Sequence, residues 1–262
     1  MNPLCVQTST PPSENPVVQA ILKHQHCGEN HALALTRSDM IKLPEMRMKE
    51  LIDELLFLDK AHEKFRSSSF SPVPEDAIPL VELLRGHSKL ASNLPVQNVS
   101  CLAKPWPCLG RYSKCWPYAD LVFTLEYFKI FDVFRRLSAD EQRLLVRRNL
   151  AVCAHLTTAY FSYKMKSGAT YHPDHTRVWA ECVIEKYKWQ FHVEAIQRIR
   201  ALALDEQEYV LVKALIVADP TMDGLSDESR AMLDELRAIY AKPLFSVMCA
   251  KSGVQRVRQK KV

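Results

Sequence analysis

The sequence predicts an all-α protein, and three observations support that prediction. Beyond residue 43, apolar residues recur mostly at spacings of three and four, which is typical of helices with one buried face. No segment shows a long alternation of apolar and polar residues, as a half-buried strand would. Most of the prolines lie before Ala119, so the chain after that residue is free to form long helices. We therefore expect a loose polar lead at 1–42, a helical domain at 43–250 and a basic tail at 251–262.

The first helices are predicted from the apolar pattern and the prolines. One amphipathic helix is expected from Leu43 to Arg66. Prolines interrupt residues 67–118 and leave room for one short helix near Leu80–Arg85. The segment Ala119–Leu137 is apolar on nearly every side, which predicts a buried central helix.

The second half of the chain contains clear signals for helix starts. Ser138 followed by Glu141 forms a capping box, so a helix is expected from Ala139 to Met165. Ser226 to Ser229 offers a second cap. Further helices are expected at 177–204, 205–217 and 226–249, after a turn or small hairpin at 168–176.

Composition disfavours several classes of function. The net charge of +5 equals the five bases of residues 251–262, so the body is neutral and lacks the basic face of a DNA-reading domain. None of the eight cysteines lies two to four residues from another, and a structural zinc site needs such pairs. No apolar run approaches the roughly eighteen residues of a membrane span, and no secretory signal or glycine-rich phosphate loop occurs. We expect no metal, no membrane association and an intracellular protein.

Two histidine-containing clusters are the candidates for chemistry. His24, His26, Cys27 and His31 fall in the polar lead, where solvated side chains are the simpler interpretation. The run from His172 to His175 contains Pro173 and is typical of a turn. No nucleophile motif supports catalysis, so we assign no catalytic residues and do not expect an enzyme.

One segment carries a family signature. It has an aromatic residue, a lysine two positions later, a phenylalanine, a leucine, an acid-glutamine pair and two apolar residues. These elements are Tyr127, Lys129, Phe134, Leu137, Glu141-Gln142 and Leu145-Val146. The pattern resembles the signature of the nuclear hormone receptor ligand-binding domain. Residues 115–121 and 208–215 resemble the nematode-expanded branch of that family, and the resemblance covers roughly residues 43–250. Glu141 replaces the usual Asp, and Asp132-Val133 replace the usual Pro-Gly.

The resemblance implies a fold, a role and partners. The fold would be a three-layer antiparallel helical sandwich, acting in regulation of transcription in the nucleus, with the cytoplasm as a second location. Coregulator peptides and a receptor dimer partner are the expected partners. We expect neither the zinc-containing DNA-binding domain nor the activation helix of the family in this chain. No direct sequence-specific DNA contact is therefore expected from it.

The resemblance also implies a coregulator groove, where a short helix of another protein binds between two helices of the domain. Lys129 and Arg147 would lie at its two edges. The alternative for both residues is ordinary solvated surface charge. The floor of the groove would be Val122, Leu125, Gln142 and Val146.

A ligand pocket is implied at a second set of positions, each of which could equally be plain core. Phe161 stands where relatives that bind acidic ligands place an arginine. A carboxylate would be buried unpaired there, at a cost of several kcal/mol, so a small neutral lipophilic ligand is expected. The pocket positions are Asp120, Phe123, Thr124, Ala154, His155, Thr158 and Phe161.

A second kind of function stays open on the sequence. The chain could be a ligand-independent helical interaction protein that titrates receptors or coregulators. A cavity behind Phe123 and Phe161 would favour the receptor, and a packed interior would favour the interaction protein. Residues 80–84, Leu-Val-Glu-Leu-Leu, match the LxxLL pattern of helices that receptor grooves accept, although leucines at this spacing usually face the protein's own core.

Overall fold

The structure is a computed structural model. It describes the backbone of residues 45–72, 79–91, 114–176 and 188–259, and the side chains of 45–72, 79–90, 114–176 and 194–251. These residues belong to one unit, 35–262. The lead at 1–42, its histidine cluster and residues 260–262 of the basic tail lie outside the described residues. The proposed limits of the domains stay predictions.

The described ranges contain helices and no extended sheet, and the all-α prediction is confirmed. Leu80–Leu84 is the short helix expected among the prolines, and the 3-10 turn Lys89–Ala91 follows it. The helices are α1 (Glu45–Arg66), α2 (Leu80–Leu84), α3 (Trp116–Phe128), α4 (Asp132–Arg136), α5 (Ala139–Lys164), α6 (Lys188–Ala201), α7 (Glu206–Val217) and α8 (Asp227–Gln259).

Side-chain caps fix where several of these helices begin. The Ser138 hydroxyl accepts the Glu141 amide at 3.3 Å, and the Glu141 carboxylate accepts the Ser138 amide at 2.9 Å. The predicted capping box of α5 is therefore present. Asp205 and Glu208 form a second capping box at the start of α7. Ser226 caps α8 by accepting the Ser229 amide at 3.2 Å.

The predicted single helix at 119–137 is wrong, because the structure divides it into α3 and α4. Hydrogen bonds between residues three positions apart end α3. The Ile130 amide donates to the carbonyl of Tyr127, and the Phe131 amide donates to the carbonyl of Phe128. Phe131 is extended, with φ −72° and ψ 122°. α3 is itself buried on nearly every side, so the predicted central burial is confirmed for residues 119–128 and only the continuity through residue 137 is wrong.

The last helix is longer than predicted and ends at Gln259 rather than Cys249. It contains Pro243. Lys251 joins its later part to the start of α7, because its ammonium donates to Glu208 at 2.6 Å and to the carbonyl of Ala203 at 2.6 Å.

Two helices lie in the middle of the molecule. α5 packs against α7, and it also contacts α3 and α6. α7 also contacts α1 and α8, and α1 contacts α3. The buried core runs through these contacts. Among the described helices, none is long and apolar enough to cross a membrane.

Candidate functional site

A buried polar cluster lies where α1, α3 and α5 meet. The Arg66 guanidinium donates from two nitrogens to one Asp120 carboxylate oxygen, at 2.9 and 3.1 Å. Thr158 donates to the other oxygen at 3.2 Å and accepts from Arg66 at 3.1 Å. His172 approaches that second oxygen with Nδ1 at 3.2 Å. We call these four residues the Asp120 cluster.

The Asp120 cluster keeps a charged carboxylate in the interior. Burial by itself would raise the pKa of Asp120, but the charge of Arg66 and the nearby His172 outweigh it and lower the pKa to about 2. Removing one partner from such a buried pair typically costs about 3–5 kcal/mol, because the other charge is left uncompensated. The cluster therefore opposes any movement of α1 away from α3.

The predicted turn near 172–175 closes over this cluster. The His172 amide donates to the carbonyl of Thr176 at 2.9 Å. The His172 ring stacks on Trp116, with centroids 4.5 Å apart and planes 3° apart. The Trp116 indole donates to Asp174 at 2.7 Å. The turn is thus a structural element of the cluster, and within the described residues no group of three potential ligands is arranged to hold a metal ion.

Lys114 donates hydrogen bonds to backbone carbonyls at the end of α1, beside the Asp120 cluster. Its ammonium donates to the carbonyls of Arg66 and Ser68 at 2.7 and 2.6 Å. Burial lowers the pKa of Lys114 to about 8. The carbonyl groups at a helix end lack partners within the helix, so this lysine satisfies them.

Phe123, the apolar centre of the predicted pocket, is fully buried among aromatic rings. Its ring centroid lies 5.1 Å from that of Phe65, and 6.2 Å from those of Phe70 and Trp116. The space beside Phe123 is thus occupied by side chains from the same chain.

The other pocket positions are spread along α3 and α5. Thr124 and Ala154 are buried, and His155 is half-buried, with a pKa that burial lowers. Phe161 lines a cleft of about 20 Å³, the size of one water molecule. Asp120 and Thr158 are joined by a hydrogen bond between their side chains, and the Thr158 hydroxyl also lies 3.0 Å from the carbonyl of Ala154 on its own helix.

A second buried pair borders that cleft. Lys213 of α7 is fully buried and donates to Asp59 of α1 at 2.7 Å. Tyr209 donates to the same carboxylate oxygen at 3.2 Å, and His62 Nδ1 lies 2.9 Å from the lysine nitrogen. Burial, followed by the charge of Lys213 and then of Arg66, holds the pKa of His62 well below 6.5. This pair connects α1 to α7.

The groove positions are mostly covered. Val122, Leu125 and Val146 are buried, and Gln142 donates its amide to the carbonyl of Phe134 at 2.9 Å. Arg147 is exposed, as its assignment to an edge requires.

Lys129 is buried, although both interpretations of the sequence place its charge at the surface. Only 4% of it is exposed, and its ammonium lies 3.1 Å from the Glu126 carboxylate. Because Glu126 neutralises the lysine one helical turn away, the charge can be buried here.

Sequence reasoning missed Arg66, Trp116 and Lys213 as members of these clusters. Arg66 lies 54 positions from Asp120 and Lys213 lies 154 positions from Asp59, so their spacing does not relate them, whereas Trp116 lies one helical turn before Asp120. The sequence contains one weak sign of their burial. Arg66, Trp116 and Lys213 each have a polar group, yet each lies in a segment whose other residues are mostly apolar or follow a helical period.

Comparisons with known proteins extend the resemblance. Residues 113–256 match the family model described as the ligand-binding domain of nuclear hormone receptor. The chain is 24% identical to nuclear hormone receptor family member nhr-154 of Caenorhabditis elegans, over 97% of this chain and 55% of that protein. It is 25% identical to family member nhr-60 of the same nematode, over 79% of this chain and 50% of that protein. The chain thus spans about half the length of these curated relatives.

The family model covers more than half of the chain. It includes α3 with the Asp120 position, the capped α5, α7 and most of α8, whereas α1, which supplies Arg66 and Asp59 to the two clusters, precedes the matched range. On this agreement of sequence and helical architecture, the chain belongs to the family of nuclear hormone receptor ligand-binding domains.

Proposed function

We propose that this chain regulates transcription in the nucleus by binding helices of coregulator proteins, without requiring a small-molecule ligand. Nuclear hormone receptors are ligand-regulated transcription factors rather than enzymes. We therefore expect this domain to act by binding other proteins. The packing around Asp120 and Phe123 is the observation that supports a function without a ligand. Both positions are assigned to the ligand cavity by resemblance, and both contact side chains of the same chain.

The cost of opening this interior supports the proposal. A ligand beside Phe123 would have to displace Phe65 or Phe70, which pack against its ring. A ligand beside Asp120 would have to separate it from Arg66, and an unpaired buried charge costs about 3–5 kcal/mol.

The surface offers positions for protein partners. Arg147 is exposed on α5, next to the buried Val146. On α8, Phe245 and Met248 are 71% and 50% exposed, and exposed apolar side chains of this kind support a further contact, for which we propose a receptor dimer partner.

A receptor for a small neutral lipophilic molecule is the second candidate. The cleft beside Phe161 and the apolar side chains of Phe123 and Ala154 favour it. Arg66 is a cation near these positions, but Asp120 already neutralises it. A neutral molecule therefore fits better than a carboxylate, which would compete with Asp120.

Native mass spectrometry separates the two candidates. The intact chain, purified without detergent, is expected to show the mass of the polypeptide alone. A lipophilic molecule retained at one copy per chain would overturn the ligand-independent proposal in favour of the second candidate.

Fluorescence anisotropy with labelled coregulator helices tests the protein contact itself. Arg147→Ala is expected to weaken binding by roughly two- to fivefold, the range for one exposed charge contact. Lys166→Ala, which removes an exposed charge just beyond the other end of α5, is the matched control and should leave binding unchanged. Equal effects of both substitutions would show that general surface charge, and not a site at Arg147, attracts the peptides.

A further inference from the structure

The segment 79–90 contains the leucine-rich helix α2, which packs against the rest of its own domain. We call it the docked segment. Leu80, Leu83 and Leu84 are half-buried and pack against the core. Val81, on the other side of α2, is 36% exposed. The three leucines at positions i, i+3 and i+4 therefore form the bound face of this short helix.

The docked segment contacts both helices that would form the coregulator groove. α2 packs against α5, and the following 3-10 turn packs against α3. The Ser88 hydroxyl donates to the carbonyl of Glu126 at 2.6 Å, and the Lys89 amide donates to the Glu126 carboxylate at 2.5 Å. These bonds fix the end of the segment to α3.

The same Glu126 carboxylate holds Lys129. One of its oxygens lies 3.1 Å from the lysine nitrogen, and the other accepts the Lys89 amide. Both charged side chains are buried, and so are the floor positions Val122 and Leu125. Residues 88 and 89 therefore bond the same residue that pairs with Lys129, the predicted edge of the groove.

We infer that the docked segment occupies, within its own chain, the surface between α3 and α5 that a leucine-rich helix of another protein uses. This inference rests on the proposed function. The partner that fits is a short amphipathic helix with leucines at i, i+3 and i+4, because that pattern already lies there. Such a helix competes with the docked segment, and the domain binds it weakly until the segment leaves.

The test uses the intact chain and a fluorescein-labelled peptide with the sequence of residues 79–91 as the probe. In the double variant Leu83→Glu, Leu84→Glu, two buried contacts of the segment are lost and its surface becomes available. Apparent affinity scales with the fraction of molecules whose site is free, so the peptide is expected to bind this variant at least about tenfold more tightly than the wild type. Val81→Glu introduces the same charge on the exposed face of α2 and should bind like the wild type.

Hydrogen exchange provides a measurement that does not depend on the folding of a variant. With excess unlabelled peptide, the amides of residues 80–84 in the wild-type chain should exchange faster, because the peptide displaces them. A peptide carrying Leu83→Ala and Leu84→Ala should have no such effect.

The outcomes separate this inference from the proposed function. Tight and equal binding of the peptide to wild type and double variant, with unchanged exchange at 80–84, would overturn the inference and leave coregulator binding intact. Absence of binding to both proteins, while circular dichroism shows the variant folded, would overturn the proposed function and the inference with it.

Discussion

At the scale of single residues, buried charge distinguishes this domain. Asp120 and Thr158 were predicted to share a pocket, and the structure places them in hydrogen-bond contact. Arg66, which determines the electrostatics there, could not be predicted. Helical periodicity shows which residues of one helix share a face, but it carries no information on which distant residue lies opposite.

Asp120→Asn tests the buried pair. The substitution leaves the Arg66 guanidinium buried without a countercharge, and we expect the free energy of unfolding in urea to fall by about 3 kcal/mol. Asp132→Asn is the matched control, since its pair with Arg135 is exposed and should contribute less than about 1 kcal/mol. Similar small losses for both variants would contradict a structural role for the Asp120 cluster.

His62 predicts how stability depends on pH. The pKa of His62 in the folded chain lies well below its ordinary value of 6.5. The unfolded chain therefore binds the extra proton first as the pH falls below that value, and stability decreases toward acid. His155, whose pKa burial also lowers, acts in the same direction.

Urea unfolding at about pH 7.5 and 5.5 measures this effect. His62→Gln should show a smaller loss of stability between the two pH values than the wild type. His87→Gln, which changes an exposed histidine, should retain the wild-type loss. An unchanged pH dependence in His62→Gln would assign the effect to other groups.

At the scale of elements, the helix starts with side-chain caps were predictable, and the ends of α3 and α8 were not. Ser138 and Glu141 act through bonds between residues three positions apart, so their effect can be read from the sequence. At the break after Phe128, Phe131 packs against Tyr127 and Tyr240, and Phe134 packs against Phe128. These contacts depend on the surrounding core, and the sequence pattern alone does not contain them.

Glu141 does more than cap α5. Its second carboxylate oxygen accepts the amide and the hydroxyl of Ser226, at 2.9 and 2.8 Å. These bonds from Ser226, together with those from Ser138, lower the pKa of Glu141 to about 2. One side chain thus joins the start of α5 to the start of α8.

Two substitutions separate the cap from this second connection. Ser138→Ala should lower the free energy of unfolding by about 1 kcal/mol, the usual effect of losing a cap. Glu141→Ala should lower it by about 2–3 kcal/mol, because hydrogen bonds to a carboxylate are lost at both helix starts. Asp140→Ala, at an exposed neighbouring position, is the control for helix propensity and first-turn charge. Equal losses for Ser138→Ala and Glu141→Ala in urea unfolding would show that the connection to Ser226 contributes nothing.

At the scale of the whole molecule, the second buried pair connects α1 with α7. Lys213→Met alone should lower the free energy of unfolding by about 3–5 kcal/mol, because the buried Asp59 carboxylate loses its partner. Replacing both partners, as Asp59→Leu with Lys213→Met, should cost clearly less than the sum of the two single changes. Urea unfolding of the four proteins measures this coupling, and strictly additive losses would show that the pair does not act as a unit.

The fold class and the family signature could be read from the sequence, because both depend on residues close together in the chain. The clusters that fill the interior could not. Phe70 and Trp116 pack on Phe123, although the first lies in a segment without helical pattern. Whether a pocket is open or filled depends on such distant contacts.

The Asp59 and Lys213 pair also has a consequence for the timing of synthesis. The two residues are 154 positions apart, and ribosomes add about 5–20 residues per second. Asp59 and the apolar face of α1 therefore leave the ribosome on the order of 10–30 s before Lys213 exists. During that interval the nascent helix has no partner from α7, and its exposed apolar face is a target for chaperones. The domain can complete its fold only after most of its length has been translated.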